Sequence, residues 1–391
     1  MRARILLPLA ALLTFALAAL STGSPLLLFL AVLLLLALLG SAASVLWASR
    51  TLVLSGSLDT SSVRRGADVL LTLQVRHRGL LPIAPVQLEI SAGPGQPVRE
   101  IFLRDRPGRL QSLSLPFHAE HVGRFSPGVR AWQVEDLMGF FQVRRSVDDA
   151  LFDLLVLPKT FPTETLTLSP GDPGSDIMSR ATEDLSAPSD IRAYQAGDPM
   201  KKIHWKLSLR KQELLVRKFD EPILQEVLIL MDCSRPPSWG HPEAEADIRD
   251  ALLETAASVF ADQAGTELSV HFPLFGDHPV ELEKSTGVPL ALENLALLDF
   301  SESDRFERVL ALESRRLRKV GCLVVVSARL NSAMVEIMAR MRQLGPALRL
   351  YLITWNPEDG NLLPLVSRLR QDGIEVVCIR PDHPLPAEGN L

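Results

Sequence analysis

Residues 227–231 read VLILM, a continuous apolar run that decides the fold of the C-terminal part of the chain. A run without polar alternation is typical of a strand buried on both faces of a parallel sheet. Residues 322–326 (CLVVV) repeat the pattern, and further strand-like stretches lie at 268–272, 348–353 and 374–379. Helical spacing of apolar residues occupies 247–262, 306–318, 332–344 and 362–370. Strands that alternate with helices predict a mainly parallel, doubly wound α/β domain over residues 224–391.

The preceding region, residues 51–165, has a different pattern, without a long helical period. Short apolar or alternating runs predict strands at 69–75, 86–90, 113–117 and 154–157, with a turn at 79–82. Several short strands separated by turn residues predict an all-β, sandwich-like domain. Residues 166–223 then form a segment between the two domains, and its first part, 166–188, reads as a linker rich in Ser, Gly, Pro, Asp and Thr.

The first fifty residues are almost free of charge. Apolar runs at 5–20 and 26–48 are separated by a turn at 21–25, which predicts two transmembrane helices that form a hairpin over residues 1–50. Arg2, Arg4 and Arg50 flank the hairpin, whereas the turn holds no Lys or Arg, so both ends are expected on the cytoplasmic side. The alternative is a cleaved signal peptide that ends near Ala19, which leaves the same orientation for the rest of the chain.

Composition excludes several classes of function. The formal net charge is −5, so the global basic surplus of a nucleic-acid-binding protein is missing. Cys233, Cys322 and Cys378 are far apart and lie in apolar runs, which indicates buried thiols in a reducing compartment. The sequence contains no Walker A loop, Gly-x-Ser-x-Gly elbow or His-Glu-x-x-His motif. His118 and His121 form a weak candidate metal pair in a β context, where further zinc ligands are not evident.

The segment between the predicted domains carries the densest motif. Residues 189–206 read SDIRAYQAGDPMKKIHWK, and residues 123–128 (GRFSPG) and 136–141 (DLMGFF) form a second distinctive pair of stretches. These stretches resemble the family called domain of unknown function 58, whose pattern is Arg-x-Tyr-x-x-Gly-Asp followed by a basic residue and Ile-His-Trp-Lys. Together with the paired membrane spans, the resemblance covers nearly the whole chain.

The resemblance implies a β domain joined to a von Willebrand factor A-like domain of Rossmann type, anchored in the bacterial inner (plasma) membrane. It also implies association with a MoxR-type AAA+ ATPase and with a transglutaminase-like membrane protein. The expected function is a non-enzymatic, membrane-anchored scaffold or adaptor in the assembly or regulation of an envelope complex. The candidate partner-binding residues are those of the motif: Arg192, Tyr194, Gly197, Asp198, Lys201, Lys202, His204, Trp205 and Lys206.

The motif also has a physical interpretation of its own. Asp198 and Pro199 suit an N-cap and a first helical position. Residues 201–218 hold seven basic residues against Glu213, so this face could dock an acidic partner or a phosphate group. The alternative is a solvated face, with Tyr194 and Trp205 packed at a domain junction. A separate possibility is that Arg192, Asp198 and His204 form a buried structural network.

A possible metal site follows the strand at 227–231. Domains of the von Willebrand factor A type often bind Mg²⁺ through Asp-x-Ser-x-Ser, and here Asp232 and Ser234 fit that pattern. Pro236 replaces the second serine, and Arg329 follows the later strand where an aspartate is expected. The other hypotheses are therefore a metal-dependent adhesion-type binding module and, with less support, a hydrolase that uses Asp232 and His204. Asp232 could instead cap the following segment, and no other cofactor is expected.

Overall fold

The structure is a computed structural model. It describes residues 2–77, 84–91, 98–104, 109–147, 151–163, 190–195, 200, 203–218, 226–236, 242–266, 268–275, 279–300, 306–315, 317 and 320–382. The chain forms two compact units, Met1–Leu157 and Pro158–Leu391. The predicted linker at 166–188 and the predicted turn at 79–82 lie outside the described residues.

Two long apolar helices open the first unit. Helix α1 (Arg2–Thr22) and helix α2 (Pro25–Thr51) are joined by a two-residue turn, where Gly23 takes a φ of +63°. Glycine suits this position because a side chain would strain the backbone at positive φ. Both helices are long and apolar enough to cross a membrane, and they are candidate spans. The predicted helical hairpin is therefore present, and its second helix continues three residues beyond the predicted end at Ala48.

The rest of the first unit consists of strands. They are β1 (Leu52–Leu58), β2 (Ser62–Arg64), β3 (Asp68–His77), β4 (Val86–Ser91), β5 (Arg99–Leu103), β6 (Leu110–His118), β7 (Gly123–Phe125), β8 (Gly128–Glu135), β9 (Gln142–Ser146) and β10 (Leu154–Leu157). An antiparallel sheet has the order β1-β3-β6, a second has the order β5-β4-β8-β9, and a small mixed sheet has the order β2-β10-β7. The four strands predicted from the sequence correspond to β3, β4, β6 and β10.

One hydrophobic core joins the two larger sheets of this unit. Leu73 of β3, Leu88 of β4 and Trp132 of β8 are buried in the same cluster. Ala48 of α2 is a fully buried member of that cluster. The last turns of α2 therefore pack into the β domain, so the boundary predicted at residue 50 cuts through a shared core.

The second unit contains the family motif and the α/β domain. A small hairpin of β11 (Asp190–Ala193) and β12 (Leu215–Lys218) encloses helix α3 (Trp205–Lys211). The remaining elements are β13 (Glu226–Met231), α4 (Pro242–Ala264), β14 (Ser269–Leu274), β15 (Val280–Glu283), α5 (Val288–Ala296), α6 (Phe306–Glu313), β16 (Val320–Ser327), α7 (Ser332–Gln343), β17 (Ala347–Ile353), α8 (Leu362–Gln371) and β18 (Glu375–Ile379).

The α/β domain is built on one six-stranded sheet. Its order is β15-β14-β13-β16-β17-β18, and all neighbours are parallel except β14 and β15. Strands β13 and β16 are almost completely buried, as their unbroken apolar runs predict. The prediction of a mainly parallel α/β sheet is confirmed.

An extended segment at the start of this unit lies along α4. The backbone N–H groups of Lys159, Phe161 and Thr163 donate to side-chain oxygens of Glu254, Ser258 and Asp262, at 3.3, 3.0 and 2.5 Å. Four helical residues rise about 6.0 Å, and two extended residues span about 6.6 Å, so the two repeats match. Residues 158–163 therefore belong with the α/β unit, whereas the sequence pattern predicts them in the β domain.

Candidate functional site

The sheet order places a topological switch point between β13 and β16. The chain leaves β13 through α4 to β14 on one side, and it later places β16 on the other side of β13. In open α/β sheets, such a switch point at the carboxyl ends of the strands is the usual ligand position. Asp232 directly follows β13, and Ser327 ends β16.

Both carboxylate oxygens of Asp232 accept hydrogen bonds. Ser234 donates to Oδ1 through its backbone N–H, at 3.1 Å, and through its hydroxyl, while the Ser327 hydroxyl donates to Oδ2 at 2.9 Å. The Asp232 N–H donates to the carbonyl of Val326 at 2.8 Å, which joins the two strand ends. This network joins the carboxyl ends of both strands, and Asp232 is only 3% exposed.

Burial raises the pKa of Asp232 above its ordinary value of 3.8, because a carboxylate loses hydration in the protein interior. The hydrogen bonds from Ser234 and Ser327 and the positive charge of Arg329 oppose this effect, but burial dominates. The folded protein therefore holds the proton of Asp232 more tightly than the unfolded chain does.

This shift predicts a pH dependence of stability. The contribution of Asp232 is fully present below the unfolded pKa near 3.8 and is lost as the pH rises through the higher folded pKa. We expect the difference in free energy of unfolding between the wild-type chain and Asp232→Asn to fall as the pH rises from about 4, since the amide does not titrate. Urea unfolding of the detergent-solubilised chain over a pH series measures it. In a Ser234→Ala background, the decrease should continue to higher pH, because this variant lacks a hydrogen bond that lowers the pKa of Asp232. A difference in free energy that does not change with pH would contradict the raised pKa of Asp232.

The residues around Asp232 do not fit a magnesium ion well. Asp232 and Ser234 do lie together, as the motif predicts, but both carboxylate oxygens already accept from hydroxyl groups. Arg329 places a positive charge near the carboxylate, and its guanidinium donates to the carbonyl of Arg235. Magnesium requires near-ideal oxygen geometry, and a neighbouring cation opposes its binding. The proposed metal role of Asp232 and Ser234 stays a prediction without support from this geometry.

A second candidate site is the motif around α3. His204 is the N-cap of this helix, and its Nδ1 accepts from the N–H of Leu207 at 3.2 Å. The His204 N–H donates to Leu215 of β12 at 2.8 Å, and buried Ser208 accepts from the Leu215 N–H at 2.9 Å. These contacts fasten α3 to the hairpin, so His204 and Ser208 hold the helix in place.

The outward side of α3 is apolar and basic. Trp205 and Leu209 are one helical turn apart and are 56% and 79% exposed. Lys206 and Arg210, the neighbours of these two residues in the chain, are also exposed. The alternative that Trp205 packs at a domain junction stays a prediction. We call Trp205, Lys206, Leu209 and Arg210 the α3 surface.

The other motif residues divide into two groups. Tyr194 is half-buried, and its N–H donates to the carbonyl of Leu214 at 2.8 Å, so it extends the hairpin. Arg192 lies on β11 opposite Val216, while its side chain lies outside the described residues. The predictions for Gly197, Asp198, Lys201 and Lys202, including the helix start at Asp198, also lie outside them. The described helix starts at Trp205.

The histidines considered from the sequence have separate environments. Within the described part of the chain, no hydrogen bond or ion pair joins His204 to Asp232, and the hydrolase hypothesis therefore gains no geometric support. His118 pairs with Asp68 through Nδ1 at 2.8 Å on the surface of the β domain.

A cluster that sequence reasoning missed lies on β14 and β15. Ligand atoms of His271, Glu281 and Glu283 all lie within 4.8 Å of one another. Antiparallel pairing of His271 with Glu283 creates the cluster, and alternation along β15 places Glu281 on the same face. Only the strand pairing could have revealed it, since His271 is ten or more positions away from both glutamates.

The fold thus defines a protein with an apolar helical hairpin, a β-sheet domain and an α/β domain that carries an exposed α3 surface. Residues 190–341 match the family model described as "Protein of unknown function DUF58", which supports the resemblance drawn from the motif. No curated protein matches the chain.

Several solved structures show weak similarity. Cwp6 from Clostridium difficile is 13% identical over 83% of this chain and 49% of its own length, with a TM-score of 0.20. The PKD domain of an M14-like peptidase from Thermoplasmatales archaeon SCGC AB-540-F20 is 7% identical over 27% of this chain and 91% of its own, with a TM-score of 0.17. The b-glucosidase EmGH1 from Erythrobacter marinus is 13% identical over 24% of this chain and 15% of its own length, with a TM-score of 0.15. Scores this low carry no functional information.

Proposed function

We propose that the chain is a membrane-anchored, non-enzymatic adaptor that uses the α3 surface to bind a MoxR-type AAA+ ATPase. The single observation that carries this proposal is the exposure of Trp205 and Leu209 on a helix whose inner side is tightly held. Exposed aromatic residues next to basic ones are the usual anchors of protein interfaces. The family resemblance indicates the class of partner. The adaptor and the ATPase would act in an envelope complex that has a transglutaminase-like membrane protein as a further member.

The geometry of α3 favours binding over a structural role for its outer side. Trp205 would stabilise the fold by burial, but more than half of it faces solvent. His204 and Ser208 already provide the contacts that position the helix. A partner surface with an apolar pocket and acidic residues at its rim would cover Trp205 and Leu209 and pair with Lys206 and Arg210.

The surroundings of Asp232 do not favour a catalytic role for this residue. Its carboxylate is occupied by Ser234 and Ser327, and the guanidinium of Arg329 is bonded to the loop that follows β13. A general base or nucleophile needs free access to a substrate atom, which this arrangement does not offer to Asp232.

The proposal places the anchor in the bacterial inner membrane and both folded units in the cytoplasm. Its support is the pair of candidate spans and the arginines at positions 2, 4 and 50 outside the hairpin turn. A green fluorescent protein fused to the C-terminus should fluoresce, and an alkaline phosphatase fused there should be inactive. Active phosphatase would overturn the orientation.

The α3 surface is tested by purification of the full chain in mild detergent together with a co-produced MoxR-type ATPase. The wild-type chain should retain the ATPase, and Trp205→Ala with Leu209→Ala should weaken the association by about 30-fold or more, because a lost aromatic anchor costs about 2 kcal/mol or more. Biolayer interferometry measures the change.

Leu290→Ala with Leu344→Ala is the matched control, because both leucines are exposed on other elements of the same unit. Equal binding by the two double variants would show that the α3 surface is not the docking site. Repeated recovery of the wild-type chain without the ATPase would remove the partner assignment.

A further inference from the structure

We propose that the loop between β8 and β9, residues 136–141, inserts its apolar tip into the same lipid bilayer that α2 spans. This inference rests on the membrane anchoring proposed above. The loop reads DLMGFF, and Leu137 and Met138 are 65% and 66% exposed. Adjoining exposed apolar side chains can mark a site of contact with a membrane.

The loop is hydrogen-bonded to α2 at one defined position along the helix axis. The hydroxyl of Ser41 donates to the carboxylate of Asp136, which is the first residue of the loop. Toward the C-terminal end of α2 from Ser41, the residues Ser44, Val45 and Ala48 are buried, and Ala48 lies in the core of the β domain. The position of Ser41 along α2 therefore sets the depth of the loop.

Helix geometry places that depth at the edge of the hydrocarbon. Ser41 is sixteen residues after Pro25, or about 24 Å along the helix. The hydrocarbon of a bilayer is about 30 Å thick, so a helix that starts at the far interface at Pro25 has Ser41 at or just inside the near edge. Trp47 is half-exposed a further 9 Å or so along α2, where the amphipathic indole suits the interface.

The loop pairs several of its backbone polar groups internally, which lowers the cost of contact with lipid. Asp136 accepts from the N–H of Met138 at 3.0 Å and from the N–H of Phe141 at 2.6 Å. The N–H of Gly139 donates to the Asp136 carbonyl at 3.1 Å, and the N–H of Asp136 donates to the Phe141 carbonyl at 3.1 Å. Gly139 has a φ of +74°, which makes the tight turn possible. Asp136 itself is buried beneath the loop, so its charge is shielded from the tip.

The test uses a fluorescent label, NBD, on single introduced cysteines of the full chain in vesicles of phosphatidylethanolamine and phosphatidylglycerol. The vesicles carry a nitroxide quencher either near the headgroup or deep in the acyl chain. Cys378→Ser is the background, because Cys233 and Cys322 are buried and should stay unlabelled. Three positions are compared: Met138→Cys in the loop, Leu33→Cys on α2 at about 12 Å from Pro25, and Leu70→Cys on β3.

Leu70 is the matched control, since it is an exposed leucine of the same domain. Its neighbour Val69 packs in a cluster with Phe125, close to the end of β8 that is opposite to the loop. We expect position 138 to lose most of its fluorescence to the shallow quencher, position 33 to the deep quencher, and position 70 to neither. Quenching at 33 but not at 138 would overturn the loop insertion and leave the anchor standing. Absence of quenching at 33 would overturn the anchor itself.

Discussion

Replacement of Phe272 by alanine is expected to lower the free energy of unfolding of the α/β unit by about 3–5 kcal/mol. Phe272 lies on β14, is completely buried, and packs its ring against that of Phe260 on α4, with ring centroids 6.2 Å apart. The alanine variant would bury less apolar area and would leave a cavity between α4 and the sheet. Neighbouring side chains fill such a cavity only in part. Urea unfolding of the detergent-solubilised chain measures the effect, and hydrogen exchange assigns it to β14 and α4.

Leu290→Ala provides the control for this prediction. Leu290 is on α5 in the same unit and is about half-exposed, so its truncation should change stability by less than about 1 kcal/mol. Similar losses for both variants would mean that the contact between α4 and the sheet contributes no special stability. In that case the core assignment for Phe272 would be wrong.

Replacement of Asp136 by alanine is expected to lower the stability of the first unit by about 3–5 kcal/mol, because buried donors without an acceptor are costly. The carboxylate accepts the N–H groups of Met138 and Phe141 and the hydroxyl of Ser41. Alanine would leave both N–H groups unpaired and would release α2 from the β8–β9 loop. Protection of the amides of Met138 and Phe141 from hydrogen exchange reports the change directly.

Two smaller changes separate the parts of this contact. Ser41→Ala removes only the bond to α2 and should cost about 1–2 kcal/mol, with loop amides still protected. Asp136→Asn keeps an acceptor oxygen and should have an intermediate effect. If Ser41→Ala were as harmful as Asp136→Ala, the helix contact rather than the loop would be the main function of the carboxylate.

The elements predicted best from the sequence are those whose pattern follows from local physics. The apolar runs at 227–231 and 322–326 predict buried strands, and β13 and β16 are buried because parallel strands are covered on both faces. Helical spacing at 247–262 predicts α4, although the helix begins at Pro242. Strands β8 and β9 were missed, since RAWQVE and QVRRS lack a long apolar or alternating run.

The candidate sites were predictable only in part. The motif contains both Trp205 and His204. The sequence alone does not predict that the tryptophan is exposed while the histidine caps α3. The described helix α3 starts at Trp205 with His204 as its N-cap, whereas Asp198 lies outside the described residues. Asp232 is predicted from the Asp-x-Ser pattern that the family resemblance implies after a buried strand. Its partner Ser327 lies 95 residues away and meets it only through the pairing of β13 with β16.

By itself, the amino-acid sequence determined the apolar hairpin, the positions of the buried strands and the helices between them, because hydrophobic periodicity and helix-capping preferences act over a few neighbouring residues. Only the tertiary structure decided that the end of α2 belongs to the β domain, that residues 158–163 hydrogen-bond along α4, and that Asp136 ties a loop to Ser41. Each of these contacts joins residues far apart in the chain, and their free energy depends on burial and hydrogen-bond geometry that exist only after the sheets and helices have packed.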